Sequence, residues 1–422
     1  MTSDEALYSS LYPYYAEFCA VSQILKKPGF GAEIRGGRGG HAVLYLNGVC
    51  RDHDAHYPTL VLCDPHGDPD RQGVGLSVNE HFKNANWVAT EGREFFFHGG
   101  LAPTDRLTRD AYRQVLAKAQ SQGIYDGVQF YDRVFADDMP EGWQGSHEDF
   151  KYEISMGTDF AINLARDRYC ARVPLDRPKM GTIVQYLNGL NDIYKSGQKD
   201  FVWNVVQDNC THLAHNVLAA VGVWPEWETN QFIAFAAFDF PVPKNEFVNL
   251  ATRTNDLPLQ DPAAIYADSS ARADMMRESW LPTEPGALVE IESTMKDNDV
   301  YDTDTKLIFY DAPFIEAHKH RFDAILADLR YYDIRANLQY FAELYRRAAA
   351  ARKPMAAPAT AEDERRGNKA WPAAGASGPA ARNFAAFQAR YDGYIERMSA
   401  QVRSQLAALP PDSASVSGRA MR

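Results

Sequence analysis

A succession of short apolar segments between residues 41 and 100 places the strongest constraint on the fold. Each segment is rich in β-branched or aromatic residues and is bounded by Gly, Pro, Asp or Asn. The segments are HAVLYL, YPTLVLC, GVGLSVN, NWVAT and REFFFHG. The first leads into Asn47-Gly48, a pair typical of a β-hairpin turn. The pattern predicts a series of short β-strands, and RYCARVPL further along predicts another.

Helical periodicity surrounds these strands. Residues 8–26 are aromatic and apolar and predict a helix packed on the main domain. Residues 105–122 have one apolar face, which predicts a second helix. Residues 313–350 carry apolar side chains at helical spacing and predict a long helix. Together these signals predict an α+β fold.

Shifts in composition divide the chain into four regions. A main domain with its N-terminal helix is predicted over residues 1–240, and a mainly helical extension over 241–350. Residues 351–382 are rich in Ala, Pro and Gly, as expected of a flexible linker. An amphipathic helix and tail are predicted over 383–422.

Composition narrows the classes of function. The 422-residue chain has a net charge of −12, which argues against a nucleic-acid partner because phosphates would be repelled. Its five cysteines are odd in number and scattered, so we expect no disulfide framework and a reducing compartment. The N-terminus does not read as a signal peptide, and no run is long enough to span a membrane. We therefore expect a cytoplasmic protein, or one that contacts a membrane peripherally or is exported without a cleaved signal.

The segment QDNCTHLAHNVL places a cysteine at the start of a helix. Leu213, Val217, Leu218 and Val221 recur at helical spacing after Cys210. Asp208 or Asn209 can cap this helix. Free N–H groups and the helix dipole favour a thiolate at such a position, and the same N–H groups can hold an oxyanion. Cys210 is therefore a candidate nucleophile, although buried free cysteines are more often simple packing residues.

A nucleophilic cysteine needs a base, and His41 is the best candidate. It begins the strand HAVLYL directly after a glycine-rich bend that leaves space around it. His212 and His215 lie on the helix of Cys210, and we interpret both as residues of its polar face.

The motifs GHAVLYLNG and DNCTHLAHNVL resemble the circularly permuted papain-like enzymes, in which the histidine strand precedes the cysteine helix. They are similar to the lecithin–retinol acyltransferase group, which has this order. The related NlpC-type peptidases have the reverse order, with the cysteine helix before the histidine strand. The two motifs are also similar to an uncharacterised bacterial membrane-associated family with a GH strand and an NC(S/T)xxL helix. The resemblance covers residues 30–225. It implies an antiparallel sheet packed against the cysteine-bearing helix, with Cys210 as nucleophile and His41 as general base and acid.

The same resemblance implies a third polar residue that orients the imidazole. Its candidates remain open, and they are Asp64, His66, Ser77 and Asn79. The reaction implied is hydrolysis or transfer of an acyl group, through a thioester, on a lipid or amide substrate. The alternatives are a cell-wall peptidase or amidase with the same dyad, and a non-catalytic binding protein.

A metal site is a weaker interpretation of one segment. His53, His56, Cys63 and His66 offer H-x-x-H and C-x-x-H spacings, but a predicted strand separates the pairs. We expect a solvated acidic turn there, and we predict neither a metal nor an organic cofactor.

Overall fold

A computed structural model describes residues 3–102, 104–229, 232, 240–311, 317–351 and 379–410. The chain divides into two compact units. The first contains the residues up to Asp256 and those from Pro282 to Asp328. The second contains Leu257–Leu281 and the described residues beyond Asp328. The predicted α+β class is confirmed, because antiparallel strands and helices both build the first unit.

A six-stranded antiparallel sheet forms the centre of the first unit. Its strands are β1 (Tyr14–Val21), β2 (His41–Asn47), β5 (Val74–Ser77), β6 (Val88–Glu91), β7 (Arg168–Leu175) and β8 (Val289–Glu292). Their order across the sheet is β6–β5–β2–β1–β7–β8. A separate two-stranded ribbon consists of β3 (Val49–Arg51) and β4 (Leu60–Leu62).

Helices are distributed over both units. The described helices of the first unit are α1 (Ser3–Leu11), α2 (Arg93–His98), α3 (Arg109–Ser121), α4 (His147–Ser155), α5 (Arg177–Lys195), α6 (Cys210–Ala219), α7 (Pro243–Asn255) and α10 (His318–Ala327). The described helices of the second unit are α8 (Pro262–Ala267), α9 (Ser269–Glu278), α11 (Ile334–Ala350) and α12 (Pro379–Ala408). No described helix is long and apolar enough to span a membrane.

The prediction of a helix over residues 8–26 is wrong, because α1 ends at Leu11 and the central strand β1 follows it. Residues 15–21 are all buried, and β1 pairs with β2 on one side and β7 on the other. A strand buried on both faces shows no alternation of polar and apolar residues, so periodicity cannot separate it from a buried helix.

Three other local predictions also differ from the structure. The long helix predicted over residues 313–350 is divided in its described part, where α10 ends at Ala327 and α11 begins at Ile334. Asn47-Gly48 does not close a hairpin, since β2 pairs with β1 and β5 while β3 pairs with β4. Gly48 has φ +82°, and the chain passes there from the central sheet to the ribbon. The segment REFFFH is the helix α2 rather than a strand.

The predicted boundary at residue 240 does not coincide with the division between the units. The strand β8 pairs with β7, so part of the predicted extension completes the central sheet. The second unit instead joins Leu257–Leu281 to the helices that follow Asp328. Most of the predicted linker, and the tail after residue 410, lie outside the described residues.

The expectation of no disulfide framework is wrong. Cys19 bonds to Cys170, and Cys50 bonds to Cys63. The first pair is separated by 151 residues and meets because β1 and β7 place the two cysteines opposite one another. Cys210 is the one cysteine left free, and it is buried.

Counting thiols tests this pairing. Unfolded in denaturant without reductant, the chain should take up one equivalent of iodoacetamide, at Cys210, because the other four sulfurs are bonded. After reduction it should take up five. Intact-mass measurement followed by peptide mapping gives both numbers, and labelling of Cys19 or Cys50 before reduction would contradict the assignment.

A buried ion-pair network links β1, β7 and β8 to α1 and α2. Glu17 is fully buried on β1 and pairs with Arg93 and Arg172. Both arginines also pair with Glu5 and Glu290. Burial opposes ionisation of Glu290, but Arg168, Arg93 and Arg172 together hold its pKa well below the usual range. Each charge in this cluster therefore depends on its neighbours.

Glu17→Gln should destabilise the protein strongly. The substitution leaves two buried guanidinium groups without their central carboxylate, an effect worth about 3–5 kcal/mol in comparable buried pairs. Denaturant unfolding followed by circular dichroism measures the loss. Glu33→Gln is the matched control, because the Glu33–Arg35 pair is 73% exposed on both sides and should contribute little. Equal stabilities of the two variants would contradict the network's role.

Candidate functional site

The cysteine helix begins as the sequence predicts. Asn209 is the N-cap of α6, and its side-chain oxygen accepts hydrogen bonds from the N–H groups of Thr211 and His212 at 2.8 and 3.2 Å. Its amide nitrogen donates to the Val205 carbonyl at 2.6 Å, which fixes the preceding loop. Cys210 is the first helical residue, and it is 8% exposed.

The cysteine sulfur lies at the end of β2 that carries His41. The Ala42 N–H donates to Cys210 Sγ at 3.4 Å, and Ala42 directly follows His41. This N–H is available because the paired residues of β2 and β5 begin only at Leu44 and Leu76. The helix α6 packs on β2. The structure therefore brings the two predicted residues to one strand end.

The glycine-rich bend before His41 is required by close packing. Gly40 has φ +74°, and an added Cβ there would collide with the Val21 carbonyl oxygen and the Leu307 side chain. A larger residue would push the chain away from β1 just before His41. Glycine at this position thus sets where the histidine enters the sheet.

A chain of buried hydrogen bonds leads away from the histidine. His41 Nε2 lies 3.1 Å from the Ser77 hydroxyl, which donates to Asp159 Oδ1 at 2.7 Å. Tyr125 and Asn79 donate to the other carboxylate oxygen of Asp159, at 2.9 and 3.4 Å. Ser77 and Asn79 were two of the open candidates for the third polar residue, and only Ser77 contacts the imidazole directly.

Burial sets the protonation of the site. It lowers the pKa of His41 to about 3, with a further contribution from the Arg166 cation. It raises the pKa of the Cys210 thiol, and hydrogen bonds from Ala42 and Thr211 together with Arg166 oppose that rise. At neutral pH the resting pair is therefore a thiol and a neutral imidazole.

The expectation that free N–H groups at the helix start hold an oxyanion needs correction. The N–H groups of Thr211 and His212 are occupied by the Asn209 side chain. The Thr211 hydroxyl, in contrast, is buried and is not held by another group of the described structure, and it lies close enough to the Cys210 thiol to lower the thiol's pKa. A thiolate or an oxyanion formed at Cys210 would offer it an acceptor.

The prediction that His212 and His215 lie on a polar face of α6 is wrong, because both are buried. His212 is 1% exposed, and His215 is 5% exposed. The ring of His215 stacks between Trp224 and Trp227, with centroid distances of 4.4 and 3.8 Å, and pairs with Glu246. These contacts anchor the end of α6 that is remote from Cys210.

The segment weighed as a metal site has other partners. Cys63 is bonded to Cys50, and His53 Nε2 lies 3.0 Å from a carboxylate oxygen of Glu91. Among the described residues, the side chains whose potential metal-ligand atoms lie close together are those of Glu17, Cys19 and Cys170. Its two sulfurs are bonded to each other, so they are not available as thiolate ligands.

Three residues of the site are given no role by the sequence. Asp159 and Arg166 are buried beside the predicted pair, yet neither lies in a recognisable motif. Thr211 is also buried, and it occupies the S/T position of the NC(S/T)xxL motif next to the nucleophile, which is the one clue that the sequence offers.

Removing the Thr211 hydroxyl should slow the reaction of Cys210 with iodoacetamide. A hydrogen bond to a charged group contributes roughly 1.5–3 kcal/mol, so Thr211→Val should raise the apparent pKa of the thiol by about 1 or more. Alkylation at neutral pH then slows about tenfold, whereas Thr211→Ser retains the donor and should react normally. Identical pH profiles for Thr211→Val and the wild type would show that the hydroxyl does not face the sulfur.

Comparisons with known proteins add no relative to this geometry. The chain matches no protein-family model, no curated protein and no solved structure. The site is therefore defined by its own contacts: the free sulfur of Cys210 at the strand end of His41, and the hydrogen bonds that lead from His41 through Ser77 to Asp159.

Proposed function

We propose that the protein is a cysteine-dependent acyl hydrolase or acyltransferase with a permuted papain-like arrangement of Cys210 and His41. The observation that carries the proposal is the Ala42 N–H bond to the Cys210 sulfur, which puts the thiol beside the His41 end of β2. The hydrogen bonds from His41 to Ser77 and from Ser77 to Asp159 support it, because they orient an imidazole as a catalytic base requires.

The mechanism follows from the protonation of the resting site. Because Ser77 occupies Nε2, His41 takes the thiol proton on Nδ1 while the sulfur forms a bond to the substrate carbonyl carbon. The Thr211 hydroxyl donates to the oxyanion. His41 then returns the proton to the leaving alcohol or amine as its bond to the carbonyl carbon breaks, and a thioester remains. Water or an acceptor then gives a proton to His41 and attacks the thioester carbon. The carbon–sulfur bond breaks, and His41 returns the proton to the Cys210 sulfur, which leaves as the thiol.

Exposed apolar side chains favour an acyl substrate. Val202 and Val205 are 67% and 52% exposed, and both lie in the loop that leads into Cys210. The Val205 carbonyl is bonded to the cap residue Asn209, so this loop is tied to the start of α6. An apolar surface beside the nucleophile fits the chain of a lipid ester or amide.

The disulfides favour the second candidate, an amidase acting on cell-wall peptides. Paired cysteines persist in oxidising compartments outside the cytosol, where such substrates are found. The prediction of a reducing compartment rested on the absence of disulfides, so the two disulfides withdraw its support. The same dyad would cleave the amide, with an amine as the leaving group.

Side-by-side assays separate these substrates. A labelled long-chain acyl ester and a labelled muropeptide are offered to the wild type and to Cys210→Ser and His41→Gln. We expect turnover of the acyl ester, and a decrease in kcat/KM of at least about 100-fold in both variants.

The control is His81→Gln. Burial lowers the pKa of His81 to about 4, so it resembles His41 electrostatically, but it packs against Phe130 outside the site. Its activity should equal that of the wild type. Cleavage of the muropeptide alone would select the second candidate, and turnover that survives Cys210→Ser would exclude both.

A further inference from the structure

Arg166 is a buried cation held only by neutral acceptors. It is 4% exposed, and its Nε and Nη1 donate to the carbonyl oxygens of Gly157 and Ser22, each at 2.6 Å. Its Nη2 donates to the Thr158 hydroxyl at 3.2 Å. Among the described residues, no carboxylate lies within ion-pair distance of this guanidinium. The mechanism above does not use Arg166.

Three other buried arginines of the same unit are neutralised by carboxylates, whereas Arg51, like Arg166, is held by backbone carbonyl oxygens. Arg93 and Arg172 each pair with three glutamates, and Arg168 pairs with two. A buried charge without a counter-ion is costly, and burial accordingly lowers the pKa of Arg166 to about 10. Cys210 is the first of the groups that oppose this fall in pKa, ahead of Tyr301 and Asp159, so a thiolate at Cys210 is the anion best placed to neutralise the guanidinium.

The hydrogen bonds of Arg166 place it in the Cys210–His41 site. Ser22 directly follows Val21, the residue of β1 that pairs with His41. The carbonyl oxygen of Thr158 accepts a hydrogen bond from the Ser77 hydroxyl at 3.0 Å, and the same hydroxyl lies beside His41 Nε2. The guanidinium is thus held close to His41 by its hydrogen bonds to Ser22 and Thr158. Both acceptors are uncharged, so neither neutralises the cation.

We propose that Arg166 is the counter-cation of Cys210: it stabilises the thiolate without a resting imidazolium, and it then stabilises the anionic intermediate together with the protonated His41. The thiolate part needs no catalysis, while the part that concerns the intermediate rests on the proposed function. In the familiar thiolate–imidazolium arrangement, histidine supplies the positive charge. Here His41 is neutral in the resting site, and Arg166 is a positioning residue whose permanent charge acts on the sulfur.

The electrostatics of the site agree with this division of roles. Burial raises the pKa of the Cys210 thiol, and Arg166 is one of the groups that oppose the rise. Burial has the largest effect on the pKa of His41 and Arg166 has the second largest, and both lower it. A cation that favours the thiolate therefore disfavours the imidazolium, and the two partners are not ionised together at rest.

The pH dependence of alkylation tests the proposal. Cys210 is the one cysteine outside the disulfides, so the rate of iodoacetamide uptake by the folded protein reports its ionisation. Arg166→Gln should raise the apparent pKa of the thiol by about 1 or more and slow alkylation about tenfold at neutral pH. Arg166→Lys, which keeps the charge, should fall between it and the wild type. His41→Gln should change the profile little, whereas a thiolate–imidazolium pair would require a large change.

Arg51→Gln is the matched control. Arg51 is also buried, and its guanidinium donates to the carbonyl oxygens of Gln122 and Gly123, outside the site. The substitution removes a similar buried cation and should leave the alkylation profile unchanged. A folded Arg166→Gln variant with the wild-type profile, or an equal shift in Arg51→Gln, would overturn the proposal.

A measurement on the wild type covers the case in which Arg166→Gln does not fold. The Arg166 Nε resonance, followed by nuclear magnetic resonance, should titrate with the midpoint of the alkylation profile and should not do so in Cys210→Ser. An Arg166 signal that is independent of thiol ionisation would refute the pairing. If these results are as expected and no substrate is turned over, the proposed function fails while the pairing of Arg166 with the thiolate stands.

Discussion

The hydrogen bond from the Ala42 N–H to the Cys210 sulfur is the contact on which the candidate site depends. It exists because β2 extends beyond its paired region with β5, which leaves a backbone donor at the strand end. The start of α6 occupies that place, and the Asn209 cap fixes the direction of the helix. If β5 paired with β2 as far as Ala42, the donor would belong to the sheet and the sulfur would lose its position.

Burial gives this site its character. The sulfur, the imidazole and the Asp159 carboxylate are all removed from water, and burial raises the pKa of Cys210 and Asp159 while it lowers that of His41. In such a site the thiol and the imidazole are neutral at rest, and they become charged only when a bound substrate reacts. The fixed charge of Arg166 and the donors of Ala42 and Thr211 limit how far burial can raise the thiol pKa. Reactivity then depends on groups whose charge or orientation does not change with pH.

Local signals in the sequence predicted those features that depend on neighbouring residues. The Asn209 cap, the helical stripe after Cys210 and the strand that begins at His41 all follow from short-range patterns. The strand β1 was mistaken for a helix because its residues are buried on both faces, which removes the alternation that identifies a strand.

Features created by long-range pairing carried no such signal. The disulfide of Cys19 and Cys170 follows from the pairing of β1 with β7, two strands far apart in the chain. Asp159 and Arg166 reach the site in the same way, from loops that no motif marks. The predicted dyad needed only two motifs, whereas its supporting residues required the fold.

The most direct test of the central claim is a nuclear Overhauser measurement on alkylated protein. Cys210 is modified with [13C]iodoacetamide, and contacts are sought between the new methylene group and histidine rings in an otherwise deuterated protein. The account predicts a contact to the ring of His41, assigned by its loss in His41→Gln. Contacts to the ring of His212 alone, with none to His41, would contradict it.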